Sequence, residues 1–250
     1  MFKDIFRRLG IGIMSARTEE ILRSSEKDLN LLFDTILEGK GRSALESKSQ
    51  LKQDIFVLLE TNFKTDGFFV EFGATDGINL SNTFLLEKEF NWDGILAEPN
   101  TQWHKDLKNN RSVKIETNCV WSKSGETLNF MELEDKEFST IEEFSDNDDH
   151  KRSSKRFIKS KVKTISLEDM LDKHGAPSKI DYLSIDTEGS EFDILKDFDF
   201  EKYDIKIITC EHNFTKSRKD IFSLLTSNGY QRKLTGASKF DDWYVKRPNL

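Results

Sequence analysis

The feature that most constrains this chain is a series of short apolar runs, each closed by glycine or an acid. They are "DGFFVEFGATDG" (66–77), "GILAEP" (94–99), "VKIETNCVW" (113–121), "IDYLSID" (180–186) and "IKIITCEH" (205–212). Such runs are too short for buried helices and too continuous for half-exposed strands, so they read as strands covered on both faces. Between several of them lie stretches of helical character, "SNTFLLEKEF", "TQWHKDLKNN" and "SEFDILKDF". Strands alternating with helices predict βαβ units in an α/β fold, with a mostly parallel sheet and helices on both of its faces. Right-handed crossovers then bring the C-terminal ends of the strands, and the loops after them, to one edge of the sheet.

The first strand runs into Glu71-Phe-Gly73-Ala74-Thr-Asp76-Gly77. Gly73, Ala74 and Gly77 allow a tight turn with the backbone close to a ligand. The second glycine of G-x-G-x-x-G is absent, and no Lys-Ser/Thr pair follows, which excludes a P-loop and weakens a dinucleotide site. The next strand ends at Glu98, before Pro99 and Asn100. A carboxylate there can accept both hydroxyls of a ribose, so glycine turn and strand-end acid together predict an adenosyl ligand.

Composition bounds the remaining choices. With 250 residues, 36% of them hydrophobic, and 20 Phe, the chain can bury a core for one α/β domain plus an appendage. A net charge of −7 disfavours nucleic acid as a partner. Cys119 and Cys210 lie in separate strand-like runs without CxxC spacing, as expected of reduced, buried thiols in a cytosolic protein. No apolar run approaches the roughly 18 to 20 residues of a bilayer span, so a soluble, cytoplasmic protein without a transmembrane segment is expected.

Residues 1–66 read as a helical extension and 67–250 as the catalytic domain. The opening "MFKDIFRRLGIGIM" mixes Phe2, Ile5, Phe6 and Leu9 with Lys3, Arg7 and Arg8, while Asp4 and the lack of an A-x-A-like site argue against a signal peptide. Ile21, Leu22, Leu29, Leu32, Phe33, Ile36 and Leu37 mark one helix, and Ile55, Phe56, Leu58 and Leu59 another. These apolar stripes lack convergent polar groups and are expected to serve homo-oligomer assembly or docking at a membrane surface. Between Met131 and Lys163 an acidic stretch is followed by a basic one, expected as a surface insertion or flap; a solvated loop and a substrate-covering lid both fit. "IFSLLTSNGY" and "DDWYVKR" read as a helix, a Gly229 turn and a closing strand or hairpin.

Glu71-Phe-Gly-Ala-Thr-Asp-Gly77, Glu98-Pro-Asn100, Asn118-Cys-Val-Trp-Ser122, the strand-like Val162–Asp169, Ile185-Asp-Thr-Glu-Gly-Ser-Glu191 and Glu211-His212 stand in an order and spacing that resembles the FkbM-type methyltransferases. The resemblance covers about residues 67 to 235, and the D-x-E-G-x-E element with its later E-H is the most specific part. It implies a class I S-adenosylmethionine-dependent methyltransferase with a seven-stranded Rossmann-like sheet, associated with O-methylation of sugar or polyketide hydroxyls. Carried over by position, Glu71, Gly73 and Gly77, with Ala74 in the same turn, surround the methionine part of the donor. Glu98 and Pro99 lie at the ribose, Asn118, Cys119 and Val120 near adenine, and Asp186 beside the methyl. Ser139, Thr140 and Glu188 fall toward the acceptor. Two departures stand out: Glu71 where many relatives have Asp, and the long charged stretch before Val162.

At the reacting end, Asp186 closes the fourth strand of the domain's pattern and Glu211 the fifth, so neighbouring strands bring both carboxylates to one edge. With His212 and Asn213 adjacent, Asp186, Glu211 and His212 form a candidate site for Mg2+ or Mn2+, similar to that of metal-dependent small-molecule O-methyltransferases. An alcohol is a poor acid and needs either a base or a cation to lose its proton. His212 suits the first role and the carboxylates the second, and the sequence leaves both open. Glu188 and Glu191 also fit the first turn of the following helix, capped by Ser190. The expected activity is O-methylation of a sugar, glycolipid or related polar metabolite, as in glycan biosynthesis. The alternatives are a nucleotide-cofactor oxidoreductase or sugar-nucleotide enzyme on a similar sheet, and a non-catalytic ligand- or partner-binding protein.

Overall fold

The computed structural model describes residues 46–134, 139–145 and 156–247. The helix expected over residues 21–37 and the N-terminal amphipathic stretch lie outside them. In chain order the elements are α1 (Gln53–Glu60), β1 (Phe68–Phe72), α2 (Phe84–Phe90), β2 (Asp93–Ala97), α3 (His104–Asn110), β3 (Lys114–Glu116), β4 (Cys119–Trp121), β5 (Thr127–Leu133) and β6 (Thr140–Ile141). A 3-10 turn at Glu142–Phe144 precedes β7 (Phe157–Ser166), α4 (Leu167–Lys173), β8 (Lys179–Ile185), α5 (Glu191–Leu195), β9 (Asp204–Glu211), α6 (Ser217–Ser227), β10 (Tyr230–Lys233) and β11 (Asp241–Lys246).

Seven strands form the Rossmann-like sheet, in the order β10-β11-β9-β8-β1-β2-β3. Only the pairings of β11 with β9 and β10 are antiparallel. The two faces alternate as a pleat requires. Phe69, Leu96, Tyr182, Ile207 and Trp243 pack beneath α1, α2 and α3, while Val70, Ile95, Leu183 and Ile208 pack beneath α4, α5 and α6. Double coverage explains why all five residues of β1 are buried, Glu71 included.

The chain runs outward from β1 to β3 and returns to place β8 on the other side of β1. That reversal lies between β1 and β8, and at such a point in an open α/β sheet the loops diverge to leave a crevice at the strand C-termini. Gly73 follows β1 and Asp186 follows β8, so the glycine turn and the acidic motif flank the crevice.

The boundary expected at residue 66 falls inside the packed body. Ile55, Phe56, Val57 and Leu58 of α1 are at most 1% exposed and share the core with Trp92 and Trp243. Phe56 stacks on Trp243 at 4.8 Å between centroids, and Gln53 Nε2 donates to Asp241 Oδ2 at 2.8 Å. The helical period was legible, but its large apolar face belongs to the sheet.

Within the charged stretch, the described residues 131–133, 140–141 and 157–163 are strand. Strands β4, β7, β5 and β6 form a second sheet, with β5 and β7 paired from Thr127↔Lys163 to Leu133↔Phe157. Along β7 the exposed Lys159, Lys161 and Lys163 alternate with Ser160, Val162 and Thr164, of which only Val162 is a large apolar residue, and this hid the strand's period. The strand read through Val162–Asp169 ends at Ser166, whose hydroxyl accepts from Asp169 N–H and caps α4. The single run "VKIETNCVW" divides between the two sheets at Thr117 and Asn118, whose N–H groups both donate to Glu116 Oε1.

Candidate active site

A cavity of about 300 Å³ opens at the crevice between β1 and β8. Glu71, Gly73, Glu98, Pro99, Cys119, Val120, Ser139, Asp186, Glu188 and Glu211 all line it. Ala74, Gly77, Asn118, Thr140 and His212 do not. Five of the lining residues are carboxylates, and among the described lining residues there is no Lys, Arg or His.

The glycine turn is shaped by the protein's own packing. Gly73 has φ +71, and a Cβ there would lie 2.1 Å from the Asp186 carbonyl oxygen, so only glycine lets the loops after β1 and β8 approach this closely. Gly77 has φ +80, and a Cβ would meet Arg111 Cγ at 2.6 Å and Leu107 Cδ1 at 2.7 Å. Gly77 therefore serves contact with α3 and does not face the cavity. Glu71 accepts from Asn82 N–H at 2.7 Å and from the hydroxyls of Ser81 and Thr83, which fixes the next loop as a cavity wall. Burial raises its carboxyl, while Arg111, 3.8 Å away, opposes the rise.

Glu98 sits on the opposite wall, with Oε1 accepting from Asn100 N–H at 2.7 Å and Oε2 from Thr75 N–H at 2.9 Å. One residue thus ties the turn after β1 to the turn after β2. Burial, with a smaller contribution from Asp186, pushes its carboxyl up to about 7 against those two donors. Asn100 Nδ2 reaches Ser139 Oγ at 3.1 Å, joining this wall to the second sheet. Cys119 is a buried thiol pushed up to about 12 by burial and by Glu98, so it is protonated at neutral pH.

The register Ile185↔Cys210 places Asp186 beside Glu211, as the strand-end argument requires. Ligand oxygens of Asp186, Glu188 and Glu211 all lie within 4.8 Å of one another. Burial raises the Glu211 carboxyl well above the carboxylate range, and Asp186, Glu188 and Glu191 add to the rise. Glu211 Oε2 is buried and has no hydrogen-bond partner.

His212 is not part of this group, and the expectation of a His212 ligand or base is corrected by the geometry. Its side chain leaves β9 on the opposite side, where Nδ1 accepts from Phe214 N–H at 3.0 Å and Nε2 stands 3.8 Å from Asp242 Oδ1. Burial and the neighbouring Arg218 lower its pKa to about 4, so the ring is neutral at pH 7 and the approach to Asp242 is not an ion pair. Asp242 is instead gripped by both ends of the Arg218 guanidinium, at 2.9 and 2.8 Å. Glu211 lines the cavity and His212 does not, in keeping with the turn of side direction from one residue to the next at a strand end.

The two glutamates of the turn after β8 also separate in role. Glu191 Oε1 accepts from the N–H groups of Thr187 and Gly189 and from the Thr187 hydroxyl, a helix-end device that closes the turn. Glu188 faces the cavity. Ser190 occupies the cap position, but its hydroxyl meets Thr187 Oγ1 at 2.9 Å and makes no cap bond.

Sequence reasoning missed several lining residues. Gln50 precedes α1; Leu80 and Asn82 precede α2, Asn82 within text that read as helix; Phe130 and Ile141 come from the second sheet; Phe240 precedes β11. A signal did exist at Asn213, the amide next to Glu211 and His212, whose Nδ2 lies 3.4 Å from Glu188 Oε2.

The sheet order and the crevice define a Rossmann-like α/β domain with its ligand site at the topological switch. Residues 71–232 match the model of the Methyltransferase FkbM domain, and the chain belongs to that family of methyltransferases, which implies S-adenosylmethionine as methyl donor. No curated protein sequence matches the chain. Among solved structures, it is similar to a methyltransferase FkbM from Methylobacillus flagellatus KT, with 12% identity and a TM-score of 0.46 over 84% of this chain and 59% of that one. Precorrin-6y C5,15-methyltransferase from Geobacter metallireducens GS-15 gives 11% identity and a TM-score of 0.41 over 72% and 71%. The fibrillarin/Nop5p complex gives 10% and 0.38 over 77% and 79%.

Proposed function

We propose that the protein is an S-adenosylmethionine-dependent O-methyltransferase whose acceptor is a hydroxyl of a sugar, glycolipid or related polar metabolite. The observation that carries this reading is the charge of the cavity: five carboxylates and, among the described lining residues, no basic side chain. A ligand with a sulfonium and an ammonium group fits such a wall, whereas the pyrophosphate of a dinucleotide or sugar nucleotide would be repelled by it. Bound there, S-adenosylmethionine supplies a methyl group already activated for in-line displacement.

Glu98 is placed to accept from ribose hydroxyls, since each of its oxygens keeps acceptor capacity beyond its single backbone N–H. Apolar Pro99, Val120 and Phe130 offer a surface for a flat base. Asp186, Glu188 and Glu211 converge on the remaining wall, where they can accept from the acceptor hydroxyl and orient it. Glu211 carries a raised pKa, which makes its ionised form a stronger base toward the hydroxyl proton than an ordinary carboxylate. The same three oxygens would hold a hard divalent cation such as Mg2+ or Mn2+, which would lower the pKa of a bound hydroxyl.

The test is to incubate the protein with S-adenosylmethionine and a panel of hydroxylated acceptors, glycans included, and to measure S-adenosylhomocysteine and a gain of one methyl in the acceptor. A methylated oxygen supports the reading; transfer only to nitrogen or carbon contradicts it. Chelation divides the branches: turnover lost to chelator and restored by Mg2+ or Mn2+ establishes the cation, and indifference to chelator leaves the carboxylate base.

A further inference from the structure

We propose that Thr140, in the second sheet, positions Glu188 for the acceptor, so that this sheet sets the geometry of the reacting wall. The inference rests on the donor-binding reading above. Thr140 does not line the cavity, although its neighbours Ser139 and Ile141 do, as alternation along a strand requires. It is 1% exposed, and its Oγ1 donates to the backbone carbonyl of Glu188 at 3.1 Å, across 48 residues of sequence.

Glu188 needs such a partner. It adopts φ +59, a left-handed conformation uncommon outside glycine and asparagine, and is followed by Gly189 at φ +120. The 3-10 turn after β6 covers this turn closely: a Cβ on Gly189 would stand 3.0 Å from Phe144 Cβ. The Glu188 carboxylate shares a space within 4.8 Å with those of Asp186 and Glu211. Like charges this close repel, so the direction in which the Glu188 side chain leaves its backbone decides how it meets the other two. The Thr140 hydroxyl from the second sheet and the Phe144 side chain from the 3-10 turn that follows β6 hold that backbone. The pairs Met131↔Thr140 and Phe130↔Ile141 fix Thr140 in turn. Phe130 also lines the cavity.

The experiment compares two probes by calorimetry, S-adenosylhomocysteine and sinefungin, the analogue with an amine on carbon in place of the methylated sulfur. Sinefungin places a cation where the methyl would be, so the ratio of the two affinities reads the carboxylates of the reacting wall. Wild type is expected to favour sinefungin. Thr140→Val and Glu188→Gln should each lower that preference by about tenfold, the scale of one charge-assisted contact, with S-adenosylhomocysteine affinity within about twofold of wild type. Thr140→Ser, which keeps the hydroxyl, should restore the ratio; Thr140→Ala repeats the test should valine not be accommodated. A wild-type ratio in folded Thr140→Val or Thr140→Ala, or in Glu188→Gln, overturns the coupling, as does a Thr140→Ser variant as impaired as valine. Failure of the wild type to bind S-adenosylhomocysteine overturns the donor reading and the coupling that rests on it.

Discussion

Asp186 and Glu211 bring carboxyl oxygens within 4.8 Å of each other across the ends of β8 and β9, where Ile185 and Cys210 stand in register. Burial and the neighbouring Asp186, Glu188 and Glu191 carboxylates raise the Glu211 carboxyl and so favour its protonated form, while a cationic ligand beside it would favour the ionised one.

Glu211→Gln keeps the shape but removes the titrating group. Turnover should fall by roughly 10²- to 10⁴-fold, the span of general acid–base catalysis, with S-adenosylhomocysteine affinity nearly unchanged. The ligand-free variant should also melt higher, by about 2 to 4 °C, because a repelled carboxyl has been removed. Single-turnover kinetics and a thermal melt check both halves; full activity would remove Glu211 from the chemistry.

The pH dependence of stability follows from three buried acids. Asp54, Glu98 and Asp241 are each raised to about 7, mainly by burial. Below their unfolded values, near 4, both states are protonated and their contribution is intact. As pH rises toward 7 the unfolded chain releases protons that the folded one keeps, so stability is lost through that window. His212, lowered to about 4, works in the opposite sense between about 4 and 6.5, but it is one group against three. The ligand-free protein should melt about 5 °C or more higher at pH 5.5 than at pH 8. A higher midpoint at pH 8 would show that these acids ionise freely.

Phe56→Ala tests whether α1 belongs to the core. Removing a fully buried ring stacked on Trp243 should cost about 3 to 5 kcal/mol and lower the melting midpoint by roughly 10 °C. A change under about 1 kcal/mol in a denaturant titration would return the helix to the status of an appendage.

The sheet was legible because doubly covered strands write continuous apolar runs such as FFVEF and IKIIT, and strand-end acids then fall on one edge by topology alone. Glu98, Asp186 and Glu211 were found in this way. His212 was misplaced because adjacency in sequence was taken for adjacency in space, when the pleat turns successive side chains to opposite faces. The second sheet stayed hidden because β7 alternates Lys159, Lys161 and Lys163 with Ser160, Val162 and Thr164, only one of them a large apolar residue, and its β5 partners lie some 30 residues upstream. The cover it provides, through Phe130, Ser139 and Ile141, is a long-range consequence that no local period records.

The most direct test of the central claim is calorimetry of S-adenosylmethionine with the wild type and with Glu98→Ala. The cavity should bind the donor in the low micromolar range, about −8 kcal/mol, and Glu98→Ala should weaken it by roughly tenfold to a hundredfold while remaining folded. Equal affinity in both proteins would contradict the ribose role of Glu98, and no binding by the wild type would contradict the donor site itself.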